Sequence, residues 1–222
     1  MSKKTTSGIT LHIVRRSFED LPCFSVDDDY LVYLDCLKEG ATKYRCAILA
    51  YGLMAHEVHL LVGADTEERA LRMVRYVSIR YSEYMNYIHQ HQGEIWECRV
   101  DATRIGRGED LLACCRYVES RPVEAGMGVS LAECRWSSYN HHAHGSADRV
   151  VHDSPAYLML GTSEHERQIA YRDLAAQPFA AWIPAKADAG CHGRSGRAQR
   201  EARPARRVPF GGRAVDAALA QA

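Results

Sequence analysis

Between Ala50 and Val62 the chain reads AYGLMAHEVHLLV, and two of these residues, Glu57 and His59, carry side chains that ligate metal ions. If the apolar run from Val58 to Val62 is a strand, its two-residue period turns Glu57 and His59 to one sheet face and Val58 to the other. A carboxylate and an imidazole side by side can hold a divalent ion, and such an ion polarises a phosphate oxygen for phosphoryl transfer. A half-buried strand with a hydrogen-bonded histidine and an exposed glutamate fits the same spacing, so the period alone leaves both readings open. His56 falls in the opposite register and does not join the pair in a regular strand.

Other polar groups sit at helical spacings. Arg72, Tyr76 and Arg80 recur every four residues, off the Met73, Val77 and Tyr81 stripe of a long amphipathic helix. Arginine takes phosphates while tyrosine stacks on an unpaired base, a combination suited to single-stranded DNA; a solvated face with a partly exposed tyrosine is the plainer alternative. From Glu109 to Val118, the residues Leu111, Cys115 and Val118 form an apolar stripe, which leaves Tyr117 with Asp110, Cys114 and Arg121. The Arg121 guanidinium has no lone pair for a metal but can contact a phosphate. His141, His142 and His144 lie close together in a polar stretch, where such clusters are more often incidental than ligating.

These residues need elements to hold them. Ile9 to Val14 reads as a strand, and a helix opens at Asp27-Asp28-Asp29 with Tyr30, Leu34, Leu37 and Ala41 on one face. Strand-like runs Cys46 to Tyr51 and Val58 to Val62 follow, then the long helix up to Gln92-Gly93, a strand around Ile95 to Thr103, and a helix from Glu109 that Pro122 ends. The order β-α-β-β-α-β-α predicts an α+β chain: a ferredoxin-like antiparallel sheet with two helices on one face and an appended helix that carries Tyr117. The text after Trp136-Ser137-Ser138-Tyr139 is loop-like, and two short C-terminal helices are expected at Ser154 to Leu160 and Ser163 to Leu174. The second opens on an S-x-x-E capping box, Ser163 with Glu166.

Composition narrows the class further. With 222 residues, 46% of them hydrophobic, the chain can build one sizeable domain with appendages but not two full-size ones. No run is long enough to span a bilayer and no apolar stretch follows the basic start, so a cytoplasmic protein with no membrane partner is expected. The eight cysteines form no CxxC pair and read as reduced packing residues. Lys plus Arg equals Asp plus Glu, so net charge does not argue for nucleic acid; the basic residues concentrate instead between Lys186 and Arg213. Residues 184–222 read as a disordered basic tail.

Several ordered motifs resemble the REP-associated, single-tyrosine branch of the HUH transposases, IS200-like enzymes that cut and rejoin single-stranded DNA. Tyr51 to Val62 is similar to the family segment AYxLMPNHVHLLV, and Gly93-Glu94-Ile95-Trp96-Glu97-Cys98-Arg99 to its G-x-LW-x-GR. Leu111 to Met127 is similar to LL-x-x-x-RY(I/V)-x-x-NPVRAGM, and Arg135-Trp136-Ser137-Ser138-Tyr139 to PWSSY. The resemblance spans residues 8–178 and implies an HUH domain at 8–140 followed by a helical extension at 141–183. It implies that Tyr117 is the nucleophile of a 5′-phosphotyrosine intermediate, that Glu57 and His59 bind Mg²⁺ or Mn²⁺, and that the partner is hairpin-forming or single-stranded DNA held by a monomer or homodimer. Two departures bear on this. Glu57 stands where the family has its first metal-binding histidine, and Arg121 stands four residues after Tyr117, where relatives carry Asn or Gln. A catalytically impaired DNA-binding protein derived from such a transposase is the alternative these departures imply.

Overall fold

The computed structural model describes residues 8–18 and 21–177; the segment read above as a basic tail lies outside the described residues. The elements follow the expected order: β1 (Ile9–Ser17), α1 (Asp27–Tyr44), β2 (Ala47–Leu53), β3 (Glu57–Ala64), α2 (Glu67–Ile88), β4 (Trp96–Ile105) and α3 (Glu109–Glu124), then α4 (Tyr139–His144), α5 (Pro155–Leu158) and α6 (Glu164–Ala176). All strand pairs are antiparallel, and the strand order β2-β3-β1-β4 is the ferredoxin-like arrangement.

Strand alternation sorts the side chains into two cores. Leu11, Ile13, Val58, Leu60 and Val62 face α1 and α2 and pack with Tyr33, Leu37, Met73, Val77 and Tyr81. On the other face, Leu49, Ala50 and Leu61 pack against Leu111, Cys114, Cys115 and Val118 of α3, joined by Tyr139, Tyr157 and Tyr171. Thus α1 and α2 share one face as expected, while the appended α3 and the helices after it cover the opposite one. The β1–β3 register runs without a break from Ile9↔Ala64 to Arg16↔Glu57, so the parity that joins Glu57 to His59 is preserved. The one irregularity of β2 against β3 lies at the far end of the pair, between Ile48 and Ala50.

Two local expectations are corrected. Pro122 does not end α3, which continues to Glu124 with Pro122 inside its last turn. Proline leaves the Val118 carbonyl without its usual helical donor, and that carbonyl presses on Gly52 of β2, where a Cβ would lie 2.3 Å from Val118 O. The helix tolerates its proline because the strand beneath it carries a glycine there. The stretch after the WSSY element is also not all loop, since Tyr139–His144 forms α4. Ahead of it, WSSY lines the edge of β2: Leu53 N donates to Trp136 O (2.9 Å), Ser138 N to Tyr51 O (3.0 Å) and Tyr51 N to Ser138 Oγ (3.0 Å). An edge strand with open backbone groups is a pairing hazard, and this segment closes it.

Two buried carboxylates tie the elements together. Asp29 caps α1 by accepting from Ser25 N (2.7 Å) and Val26 N (3.1 Å), and its other oxygen accepts from Tyr84 (3.0 Å) and His89 Nε2 (2.8 Å) at the end of α2. Glu119 of α3 accepts from Ser138 Oγ (2.6 Å), Tyr171 Oη (2.6 Å) and His142 Nδ1 (2.7 Å), which joins α3 to WSSY, α4 and α6. At the start of α6 the Ser163–Glu166 box forms as read: Glu166 N donates to Ser163 Oγ (3.2 Å) and Ser163 N to Glu166 Oε2 (3.1 Å).

Glu119→Gln places an amide NH₂ among donors, so we expect a loss of about 2–4 kcal/mol in urea unfolding. Burial alone would raise the Asp29 carboxyl, but His89 and the backbone amides of Ser25 and Val26 hold it below the usual range. Its stabilisation is therefore complete above the unfolded value near ~4 and disappears as the pH falls through the depressed folded value. Unfolding measured across that window should show a steeper acid loss in wild type than in Asp29→Asn; equal slopes would remove Asp29 from the account.

Candidate functional site

The α3 face of the sheet gathers the polar residues that the two-residue period selects. Glu57 and His59 of β3 lie on it, as the pattern requires, and β1 adds His12 and Arg16, because Arg16 pairs with Glu57 and His12 with Leu61 in register. His12 and His59 are buried side by side, with His12 Nε2 3.1 Å from His59 Nδ1. Neither β1 residue stands out in the sequence; only the β1–β3 pairing puts them there. His56, by contrast, is exposed in the turn before β3 and takes no part.

From above, α3 lowers Tyr117 and Arg121 onto this group. The Tyr117 ring stands edge-on to His12 with centroids 5.6 Å apart and lies 5.9 Å from the His59 ring, while Arg121 Cζ is 5.6 Å from its centre. The structure thus brings together four residues singled out in the sequence: Glu57, His59, Tyr117 and Arg121. Burial raises the Tyr117 phenol above its ordinary pKa, and Arg121 only partly offsets this, so the ground state is the protonated phenol. Burial likewise pushes His12 down to about 3, reinforced by His59 and Arg121, and lowers His59. Both imidazoles are neutral at neutral pH.

Glu57 is the most heavily partnered group of the site. Arg121 Nη2 donates to its Oε1 (3.2 Å), Arg16 Nε lies 3.5 Å from its Oε2, and His59 Nε2 lies 3.3 Å from Oε1. The His59 ring holds the Glu57 carboxyl down to about 2 against the upward pull of burial, and Arg121 adds to the effect. Arg16, Arg99 and Arg121 each already have a carboxylate. Arg121 Nη1 donates to Glu124 (2.6 Å), and Asp101 takes Arg16 (2.6 Å) and Arg99 (2.5 Å). An anion arriving here would exchange with a carboxylate rather than meet bare positive charge.

Two donors of the right type for a divalent ion are present, but the site as built does not suit one. His59 Nε2 is buried and makes no well-directed hydrogen bond, so it is the nitrogen that would face a metal. Yet the guanidinium of Arg121, a fixed cation without a lone pair, already occupies the Glu57 oxygen nearest to it. A proton on His12 Nε2 can be donated to His59 Nδ1 at 3.1 Å, while His59 Nε2 faces the Glu57 carboxylate at 3.3 Å without a well-directed bond.

The second set, Arg72, Tyr76 and Arg80, does not meet this group. It lies on α2, in the layer on the other side of the sheet, where Arg72 pairs with Glu68 (2.6 Å), Tyr76 donates to Glu39, and Arg80 pairs with Glu83 (3.1 Å). Lys43 Nζ stands 4.0 Å over the Tyr76 ring, on a face that a stacked base would need. Arg72 also lines an open basic cleft with Lys43, Arg45 and Arg69. Among the described residues, a different cluster, His141, His142 and Asp153, groups the most metal-ligand side chains.

The family model for IS200-like transposases matches residues 5–121. Among solved structures, a REP-associated tyrosine transposase bound to a REP hairpin is similar over 70% of this chain and 96% of that one, with 15% identity and a TM-score of 0.52, a likeness of fold. A Deinococcus radiodurans protein crystallised as a candidate transposase matches over 57% of this chain and 92% of that one, with 16% identity and a TM-score of 0.38. No curated protein matches. With the family model covering more than half of its 222 residues, the chain belongs to the IS200-like transposase family.

Proposed function

We propose that this transposase-family protein binds hairpin-forming DNA on the α3 face, keeps Tyr117 as the group that attacks a phosphodiester, and cleaves weakly because Arg121 holds Glu57. The observation that carries this reading is the 3.2 Å bond between Arg121 Nη2 and Glu57 Oε1 beside the tyrosine. The hairpin partner is proposed from the family, and from the solved relative whose fold this chain shares and which is bound to a REP hairpin.

In the proposed reaction the Tyr117 oxygen forms a bond to phosphorus, the bond from phosphorus to the 3′ oxygen breaks, and that oxygen leaves as a 3′ hydroxyl once protonated. The phenol must give up its proton, and the neutral His12 ring that stands edge-on to Tyr117 is the nearby acceptor. Arg121 meets the scissile phosphate only by loosening its hold on Glu57 and Glu124. Mg²⁺ or Mn²⁺ at Glu57 and His59 would supply charge stabilisation at the phosphate, but a fixed guanidinium opposes its entry. Arg72 and the basic cleft around it form a separate phosphate contact on the other layer, which adds affinity without reading sequence.

The covalent adduct separates catalysis from binding. Wild type incubated with labelled hairpin and Mn²⁺ should give little denaturant-resistant adduct, and Glu57→His with Arg121→Asn should raise it at least about tenfold, since each change supplies a neutral ligand in place of a charge. Tyr117→Phe should abolish adduct in either background while leaving hairpin binding within about twofold. No adduct in any variant that still binds the hairpin leaves a binding protein and rejects the nucleophile; strong wild-type adduct rejects the impairment. Titration of hairpin against blunt duplex of equal length should favour the hairpin with its single-stranded flank, and equal affinity would reject the single-strand reading.

A further inference from the structure

The histidines that follow WSSY, incidental by sequence pattern, have surroundings that an incidental cluster does not need. His141 and His142 are consecutive on α4, and Asp153 lies in the segment that leads into α5. One nitrogen of each ring and one Asp153 oxygen all lie within 4.8 Å of one another, and His141 Nε2 is 3.1 Å from Asp153 Oδ1. Donors bound at ~2.0–2.1 Å to a tetrahedral ion stand roughly 3.3 Å apart, so this last pair is already at ligand spacing.

The far side of each ring carries the second observation. His141 Nδ1 lies 3.2 Å from the Ser146 carbonyl, which can only accept, so Nδ1 carries the proton and Nε2 is the lone-pair nitrogen available to an ion. His142 Nδ1 donates to the buried Glu119 carboxylate at 2.7 Å and likewise leaves Nε2. A histidine held from behind by a carboxylate or a backbone carbonyl is the outer-shell arrangement of metal-ligating imidazoles, since it sets both tautomer and ring orientation. Glu119 is itself fixed by Ser138 and Tyr171, so the His142 ring is anchored to α3 and α6.

We propose that His141, His142 and Asp153 form a transition-metal site of Zn²⁺ type, distinct from the Glu57–His59 pair and independent of the reading given to that pair. Two imidazoles and one carboxylate favour Zn²⁺ over Mg²⁺, which prefers an all-oxygen shell. His142 closes the inner side, whereas His141 and Asp153 are partly exposed, so the ion enters from solvent and a water completes its coordination. Without an ion, a proton on His141 Nε2 lets the ring pair with Asp153; an ion takes that proton's place and clamps α4 to the lead of α5. Through Glu119 the clamp reaches α3, two residues beyond Tyr117.

The test uses the full chain with Co²⁺ as a spectroscopic stand-in, then Zn²⁺. One equivalent of Co²⁺ should bind with the intense visible bands of a low-coordinate site, be displaced by Zn²⁺, and lose at least about tenfold in affinity in both His141→Ala and Asp153→Asn. These side chains are partly exposed, so the metal-free variants should keep the wild-type circular dichroism. The Glu57→Gln, His59→Asn variant should bind Co²⁺ like wild type. Saturating Zn²⁺ should raise the Tm of wild type by on the order of 5–10 °C at a hundredfold excess over Kd, and should not raise that of Asp153→Asn. Absence of saturable uptake, uptake unchanged in the His141 and Asp153 variants, or uptake lost in the Glu57 and His59 variant would each overturn the site.

Discussion

A carboxylate with no access to solvent must be surrounded by donors, and Glu119 meets that condition by drawing three separate segments onto α3. Ser138 comes from the strip that closes the β2 edge, His142 from α4, and Tyr171 from α6. Apolar packing brings α4 and α6 against α3 as well, but each bond fixes a direction that oil-like contacts leave free. The result is that the helix carrying Tyr117 is held in rotation as well as in position. Gly52 sets its height: the Val118 carbonyl, released by Pro122, comes down onto the strand where no Cβ stands. The tyrosine reaches the two imidazoles because these constraints agree.

The face below Tyr117 is a polar site in electrostatic balance rather than a positive funnel. Glu57 sits between Arg16 and Arg121, and Asp101 and Glu124 take the remaining contacts of those arginines. Where a metal ion would concentrate two charges on a small sphere, the Arg121 guanidinium spreads one over a plane and cannot be exchanged. Burial holds the Tyr117 phenol protonated, and the His12 and His59 rings beside it are held neutral. Glu57, His59, Tyr117 and Arg121 share this one face, and Arg121 is bonded to Glu57 within it.

Much of this was legible from the residues in order. Two-residue alternation through Val58, Leu60 and Val62 determined which way Glu57 and His59 point, because a strand has only two faces. Helical spacing set Tyr117 with Arg121 and apart from the Leu111 stripe, the Ser163–Glu166 box marked the start of α6, and the succession of elements dictated a ferredoxin-like sheet. Each is a property of a single element and its immediate neighbours in the chain. The expectations that the structure corrects are also local: a helix end at Pro122 and a loop after WSSY. Their outcomes were decided by Gly52 and Glu119, partners distant in sequence.

What only the tertiary structure decided concerns pairs between elements. His12 meets His59 across 47 positions because β1 lies beside β3 in the sheet, and no periodicity within β1 announces it. Arg121 finds Glu57 because α3 crosses above β3, which makes a residue suited to a phosphate the partner of a carboxylate instead. Arg72, Tyr76 and Arg80 share a helix face, as their spacing requires, yet that helix lies across the sheet from the tyrosine. The sequence by itself determined the direction of each side chain within its own element, since backbone geometry is local. Which side chains share a site was left to the packing of the sheet and its two layers, which is set by burial summed over the whole chain.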